Sequence, residues 1–285
     1  MCGLLFQINF AIKASKVNLS LEAVEGCKKS IVNFCLGSEC FGEFGLSSVV
    51  NYQWPPEGKA KSKSIDELLA EYDTELVLSG TSNYEKNVSL KILLSKEFNN
   101  GRLDVPAISR WIINRWGGIP KVSKSINKYI RCAETKTVPE KLDGVASYSK
   151  LFAMFYPDEF AIYDARVAVS LNIVQLISEE KHNVFFPYLS GRNKTTGNQT
   201  TGSGFSNLDD FKRKRIEQTS NKNWDFLPNK DVYKSFNAIL LEVCKEQNWK
   251  LWDVEMLLFS KAEDLVKAIR KDQKFSDINW KAVQL

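Results

Sequence analysis

The chain has 285 residues, with 44% hydrophobic and 26% charged residues and a formal net charge of +5 from 39 basic and 34 acidic side chains. That is ordinary for a globular protein with a sizeable core, and it permits a polyanionic partner without demanding one. No apolar run reaches the length of a membrane span, six scattered cysteines form no CxxC pair, and His182 is the single histidine, so a membrane span and a structural zinc site are not expected.

In chain order, the start "MCGLLFQINFAIKAS" has no leading basic residues and no clear cleavage site, and it is not read as a signal peptide. Reduced thiols and a cytoplasmic location are the default expectation. The stretch from Gly45 to Trp54 is read as a strand or an irregular aromatic loop. "SIDELLAEYDTELVLSG" places Ile65, Leu68, Leu69, Tyr72 and Leu76 on one helical face, with Ser64 as N-cap, Glu67 three residues on and Gly80 as the stop. "PAISRWIINRWGG" opens on Pro106, closes on Gly117-Gly118, and sets Ile108, Trp111, Ile112 and Trp116 at helical spacing. "VYKSFNAILLEVCKEQN" is a further amphipathic helix, and "LWDVEMLLFSKAEDLVKAIRK" is one helix or two. Residues 190–207 are rich in Gly, Thr and Asn, which predicts a mobile loop that is either a plain linker or a segment that orders on a substrate. Lys121, Lys124, Lys128 and Arg131 recur along one segment, and "FKRKR" forms a block at residues 211–215. Each is either a solvated face or a phosphate contact. Together these patterns predict a mainly helical fold, with residues 1–80 an N-terminal region or small subdomain and residues 81–285 the principal helical domain.

The most apolar part of the chain, "SYSKLFAMFYPDEFAIYDARVAVSLN", contains Lys150, Asp164 and Arg166. Ionised groups in such a setting are costly unless paired, and they often mark a site. Just upstream, "KLDGVASYSK" contains a Leu-x-Gly-Val turn that runs into a helix. Gly144 can adopt a left-handed conformation there, and the helix N-terminus would present free amides able to hold a phosphate. Pro157 breaks the pattern, and Asp164 opens the next helix 14 residues after Lys150, either as a simple N-cap or as a functional carboxylate. On the structural alternative, Arg166 is the salt-bridge partner of Asp164.

Leu-x-Gly-Val, then a lysine, then an aspartate opening a further helix resembles the helix-hairpin-helix DNA glycosylases, and more specifically the bacterial 8-oxoguanine DNA glycosylase-like family. The pieces that carry the resemblance are Trp116-Gly117-Gly118, Ser147 to Lys150, Phe160 to Ala168, Gly191-Arg192-Asn193 and Glu255 to Phe259, in that order over the last two thirds of the chain. The sequence departs from the family pattern where Ala146 replaces the second glycine of the turn, where the lysine falls two residues later than usual, and where the gap from lysine to aspartate is shorter.

The resemblance implies a helix-hairpin-helix-like domain that flips a base out of double-stranded DNA and breaks its N-glycosidic bond, acting as a monomer with no metal or cofactor. Asp164 would stabilise the cation-like sugar, and Lys150 would be either an amine nucleophile, adding strand cleavage at the abasic site, or silent. Gly144, Val145, Ala146, Ser147, Arg166, Arg192, Asn193 and Lys194 would contact DNA, and Phe152, Tyr163, Trp252 and Glu255 would form the base pocket. The substrate would be an oxidised purine, in repair, or a hypermodified cytosine of phage DNA, in defence. Two rivals remain. One is a helix-hairpin-helix protein that binds DNA without chemistry. The other is an amidotransferase using Cys2 as its N-terminal nucleophile, as the opening "MCG" suggests, which needs a β-rich sandwich.

Overall fold

In the computed structural model, the residues described are 19–38, 40–42, 44–54, 63–120, 124–187, 189, 196 and 221–271. Side-chain caps set most helix starts. Ser20 begins α1 (Leu21–Leu36) by accepting from the Ala23 amide, and Gly37 ends it in the left-handed conformation. Ser64 and Glu67 form a reciprocal capping box at the start of α2 (Ile65–Ala70), as the sequence predicts. This helix stops at Ala70, however, and not at Gly80. The Tyr72 and Asp73 amides both return to the Leu69 carbonyl, and the Asp73 carboxylate then accepts from the Glu75 amide. That local bond offers the backbone an alternative to another helical turn, while Tyr72 and Leu76 still pack on the core.

Ser82 and Glu85 cap α3 (Asn83–Asn99) with a second box. Asp104 caps α4 (Val105–Trp111), with Pro106 in its first turn, and the chain continues through a π-helical turn, Ile112–Trp116, before Gly117. The stretch read as a strand or aromatic loop is instead a 3₁₀ turn, Leu46–Asn51, followed by non-helical residues that carry Tyr52 and Trp54. Next come α5 (Ile126–Glu134), α6 (Val145–Phe155) and α7 (Ala165–Ile177). Strands β1 (His182–Phe185) and β2 (Asn223–Phe226) pair in parallel, His182 opposite Asn223, and α8 (Val232–Gln247) and α9 (Leu251–Lys271) complete the order. "LWDVEMLLFSKAEDLVKAIRK" is thus one helix. Between α7 and the sheet, the buried Lys222 ammonium binds the carbonyls of Gln175, Ser178 and Glu180, which caps the end of α7.

The architecture is mainly helical, as composition and periodicity predict. Helix α7 is buried along nearly its whole length and lies against α9, α1 and β1. Helix α6 packs on α3, α5 and the π turn. One apolar cluster runs from Ala23 on α1 to Ile269 on α9, and the 3₁₀ turn of the N-terminal region packs on α3 and α9. Among the described residues, no helix is long and apolar enough to cross a membrane. Those residues contain only the two four-residue strands, not the sandwich that an amidotransferase would require, and Cys2 lies outside them.

The turn into α6 is built as the sequence implies. Gly144 has φ +77° and, lacking a side chain, does not itself cap the helix it opens. A Cβ at Gly144 would strike the Tyr129 hydroxyl on α5. Gly144→Ala is therefore expected to lower unfolding free energy by about 1–2 kcal/mol from backbone strain alone, with the collision adding to it. Tyr129→Phe in the same chain should recover part of the loss. Denaturant unfolding of the two single variants and the double variant measures both quantities.

Candidate active site

Ser149 holds the site together. Its hydroxyl accepts from the Tyr163 amide at 3.2 Å and donates to the Tyr163 carbonyl at 3.3 Å. Residue 149 precedes Lys150 on α6, and residue 163 precedes Asp164 at the start of α7. This clamp closes the 14-residue gap and brings the ammonium and the carboxylate to one cleft.

The cleft is small and partly open to solvent, with Lys150, Asp164 and Glu255 as its charged lining. Its walls are Trp54, Trp116, Phe259 and Tyr52, with Gly117 and Ile162 between them. Asn87, fully buried on α3, braces the two tryptophans by donating to the Trp54 carbonyl and accepting from Trp116 Nε1. Trp54 Nε1 donates to the Trp116 carbonyl at 3.0 Å, and the Trp54 ring meets Phe259 edge-on at 5.4 Å. The Lys150 stem passes over the end of the π turn, where a Cβ at Gly117 would stand 2.8 Å from its Cδ. Gly117 thus makes room for the lysine. A π turn beside a site is a recurring association.

Lys150 is 6% exposed. Its ammonium donates to the Ala146 carbonyl at 2.7 Å and makes no ion pair among the described residues. Burial pulls its pKa below that of an ordinary lysine, and the negative fields of Asp164 and Glu255 oppose the shift. Asp164 is the N-cap of α7. Its Oδ1 accepts from the Arg166 amide at 2.9 Å and the Val167 amide at 3.2 Å, and its Oδ2 has no hydrogen-bond partner among the described residues. Glu255 on α9 is 1% exposed and contacts Lys91 of α3, itself 2% exposed. Burial pushes the Glu255 carboxyl up, and Lys91 acts against that rise. Burial and the two carboxylates push the Tyr52 phenol well up as well, so it stays protonated.

Of the sequence-expected residues, the structure brings Lys150, Asp164 and Glu255 together. Phe152 and Tyr163 do not line the cleft. Both are fully buried: Phe152 packs on Tyr148, Phe160 and Tyr233, and Tyr163 packs on Phe236 and donates to the Pro187 carbonyl. They follow the apolar faces of their segments into the core. Trp252 is also outside the lining, 9% exposed beneath the Lys250 ammonium. Arg166 does not pair with Asp164. It binds Glu263 at 2.9 Å and lies 4.7 Å above the Phe259 ring, at the edge of the cleft.

Gly144, Val145, Ala146 and Ser147 form the start of α6, with Val145 buried and the other three partly exposed. Lys124, Lys128 and Arg131 are exposed on and before α5. Arg192, Asn193 and Lys194, the 190–207 loop apart from Thr196, Lys121 and the "FKRKR" block lie outside the described residues.

The residues that sequence reasoning missed as cleft walls are Tyr52, Trp54, Trp116 and Phe259. Glu255 and Phe259, four apart on one helix face, were a usable signal. Tyr52 and Trp54 offered only a clustering of aromatics.

The arrangement holds a carboxylate and a desolvated amine close together but unpaired, between aromatic faces. That suits cation stabilisation and nucleophilic or proton-transfer work on a flat, uncharged ring system. Among the described residues, no three His, Cys, Asp or Glu side chains cluster as metal ligands would. No protein-family model, no curated protein and no solved structure matches the chain.

Proposed function

We propose that the protein is a DNA N-glycosylase with a helix-hairpin-helix-like fold, acting on a damaged or modified base flipped out of the duplex. The observation that carries this reading is the cleft itself. The second oxygen of Asp164 and the ammonium of Lys150 share a narrow aromatic-walled cleft without forming an ion pair with each other.

As the C1′–N bond breaks, its electron pair leaves with the base, and positive charge develops on the sugar. A carboxylate placed against that charge lowers the barrier. Water then adds to C1′, and the proton it gives up passes by way of the Asp164 carboxylate to the departing base, leaving an abasic site. If the Lys150 amine adds instead, it does so in its neutral form, which its lowered pKa makes more available; the nitrogen bonds to C1′ and loses a proton, and the C1′–O4′ bond then opens with O4′ taking a proton, leaving a Schiff base at C1′. The tryptophan and phenylalanine walls would stack a flipped base. At the start of α6, where the Val145 and Ser147 amides bond to the Leu142 and Gly144 carbonyls, the Ala146 amide would be the one to meet a phosphate, and exposed Lys128 and Arg131 lie on α5, which packs on α6.

The test is a base-release assay on labelled duplexes carrying uracil, 8-oxoguanine, alkylated purines, or hydroxymethylated or glucosylated cytosine, each read with and without alkali. Release from at least one duplex, dependent on Asp164, is expected. No release from any, with DNA binding retained in the Asp164→Asn variant, would replace this reading with a binding module in which Asp164 is only a helix cap.

A further inference from the structure

We propose that Tyr52 is a further catalytic residue of the cleft, a hydrogen-bond donor to the departing base. The proposal rests on the glycosylase reading and gives a chemical task to the N-terminal region, where the resemblance to known glycosylases does not reach.

The Tyr52 ring is 3% exposed, at the end of the 3₁₀ turn and against Phe259 of α9, with ring centroids 6.0 Å apart. A buried phenol normally finds a partner for its hydroxyl. The Tyr52 hydroxyl makes no hydrogen bond among the described residues, and it is not one of the unpartnered atoms sealed from solvent. Tyr52 lines the cleft, so its hydroxyl opens there. Both indole N–H groups of the lining are committed, Trp54 Nε1 to the Trp116 carbonyl and Trp116 Nε1 to the Asn87 side chain. The side-chain donors that remain in the lining are the Lys150 ammonium, which would act at C1′, and the Tyr52 hydroxyl. Burial and the fields of Asp164 and Glu255 keep the phenol protonated, so it is a donor at neutral pH.

Asp164 answers the positive charge that develops on the sugar. The opposite charge develops on the base. As the C1′–N bond breaks, its electron pair passes to the base and spreads over ring nitrogen and carbonyl oxygen. A donor held at such an atom lowers the barrier. Tyr52 keeps its own proton, and the base takes the proton that the water loses. A cationic base such as 7-methylguanine departs as a neutral molecule and needs no such donor.

Single-turnover release is measured on duplexes carrying uracil, 8-oxoguanine, 5-hydroxymethylcytosine, its glucosylated form, or 7-methylguanine. The proteins are wild type, Tyr52→Phe, and chains with 3-fluorotyrosine or 3,5-difluorotyrosine in place of Tyr52, at mildly acidic pH where each phenol is protonated. Denaturant unfolding of each protein checks its fold.

Tyr52→Phe keeps the ring wall and loses only the hydroxyl. It should slow release of a neutral base by roughly 10- to 100-fold, the scale of a hydrogen bond to developing charge, with stability unchanged or raised. The fluorinated phenols are stronger donors and should speed release above wild type in the order of their acidity, which a hydroxyl that merely packs would not do. Where 7-methylguanine is released as well, Tyr52→Phe should leave that rate nearly unchanged. Release of neutral bases insensitive to Tyr52→Phe and to fluorination, or equal slowing of neutral and cationic bases, overturns the role of Tyr52 and leaves the glycosylase reading intact. So does release confined to 7-methylguanine. Absence of release from every duplex overturns the glycosylase reading, and the role of Tyr52 falls with it.

Discussion

Asp164→Asn is expected to slow base release by roughly 10²- to 10³-fold, the scale of losing one preorganised charge contact in a transition state, while the protein stays folded. The separation is possible because Asp164 does two things with two oxygens. Oδ1 caps α7 through the Arg166 and Val167 amides, and Oδ2 is left without a partner among the described residues. Asparagine is as good an N-cap as aspartate, so its side-chain oxygen can keep the cap while the negative charge is lost. Asp164→Ala removes both, and should cost about 1 kcal/mol of stability in addition to the same loss of rate. Single-turnover release and denaturant unfolding of both variants decide the matter. A residue that is only a cap gives the opposite pattern, with Asn nearly silent in both measurements and Ala changing stability alone.

This double use also explains what could be read in advance. Residue pattern alone favours a cap at position 164, and the cap is there. What sequence cannot supply is the second oxygen's surroundings, because these come from distant parts of the chain. Trp54 arrives from a segment with no regular pattern, Trp116 from a π turn, and Phe259 from α9. Periodicity finds which face of a helix is apolar, but not whether an aromatic on that face meets the core or a gap. That is why Phe152 and Tyr163, expected as pocket walls, are core residues. Helix starts were legible where Ser64 and Pro106 signal them. The end of α2 was not, because the bond from Asp73 to the Glu75 amide interrupts an apolar pattern that continues through Leu76. The turn at Gly144 was legible because few residues other than glycine accept its left-handed backbone. The Tyr129 ring packed against it belongs to tertiary structure alone.

Lys150→Met is expected to abolish any borohydride-trapped adduct with an abasic or base-bearing duplex, and to stabilise the fold at neutral pH. Methionine keeps a long flexible stem beside Gly117 and removes an ammonium whose one hydrogen bond among the described residues is to the Ala146 carbonyl. Burial lowers the Lys150 pKa in the folded protein below its unfolded value of about 10.4. Between those two values the unfolded chain binds more protons than the folded one, so the Lys150 contribution to stability rises with pH. Below the folded value the penalty of the buried ammonium is fully present, and it disappears as pH approaches the unfolded value. The stability advantage of Lys150→Met should therefore shrink steadily with rising pH, measured by denaturant unfolding of both proteins across alkaline pH. In Asp164→Asn the field that holds the Lys150 pKa up is weakened, and the neutral amine should become available at lower pH. The pH at which adduct forms would shift down in that variant even as base release falls. Adduct that persists in Lys150→Met would assign the amine to another residue. An alkali-requiring break in wild type, with no adduct, would leave Asp164 and water to do the chemistry. Lys150 would then act only through its charge.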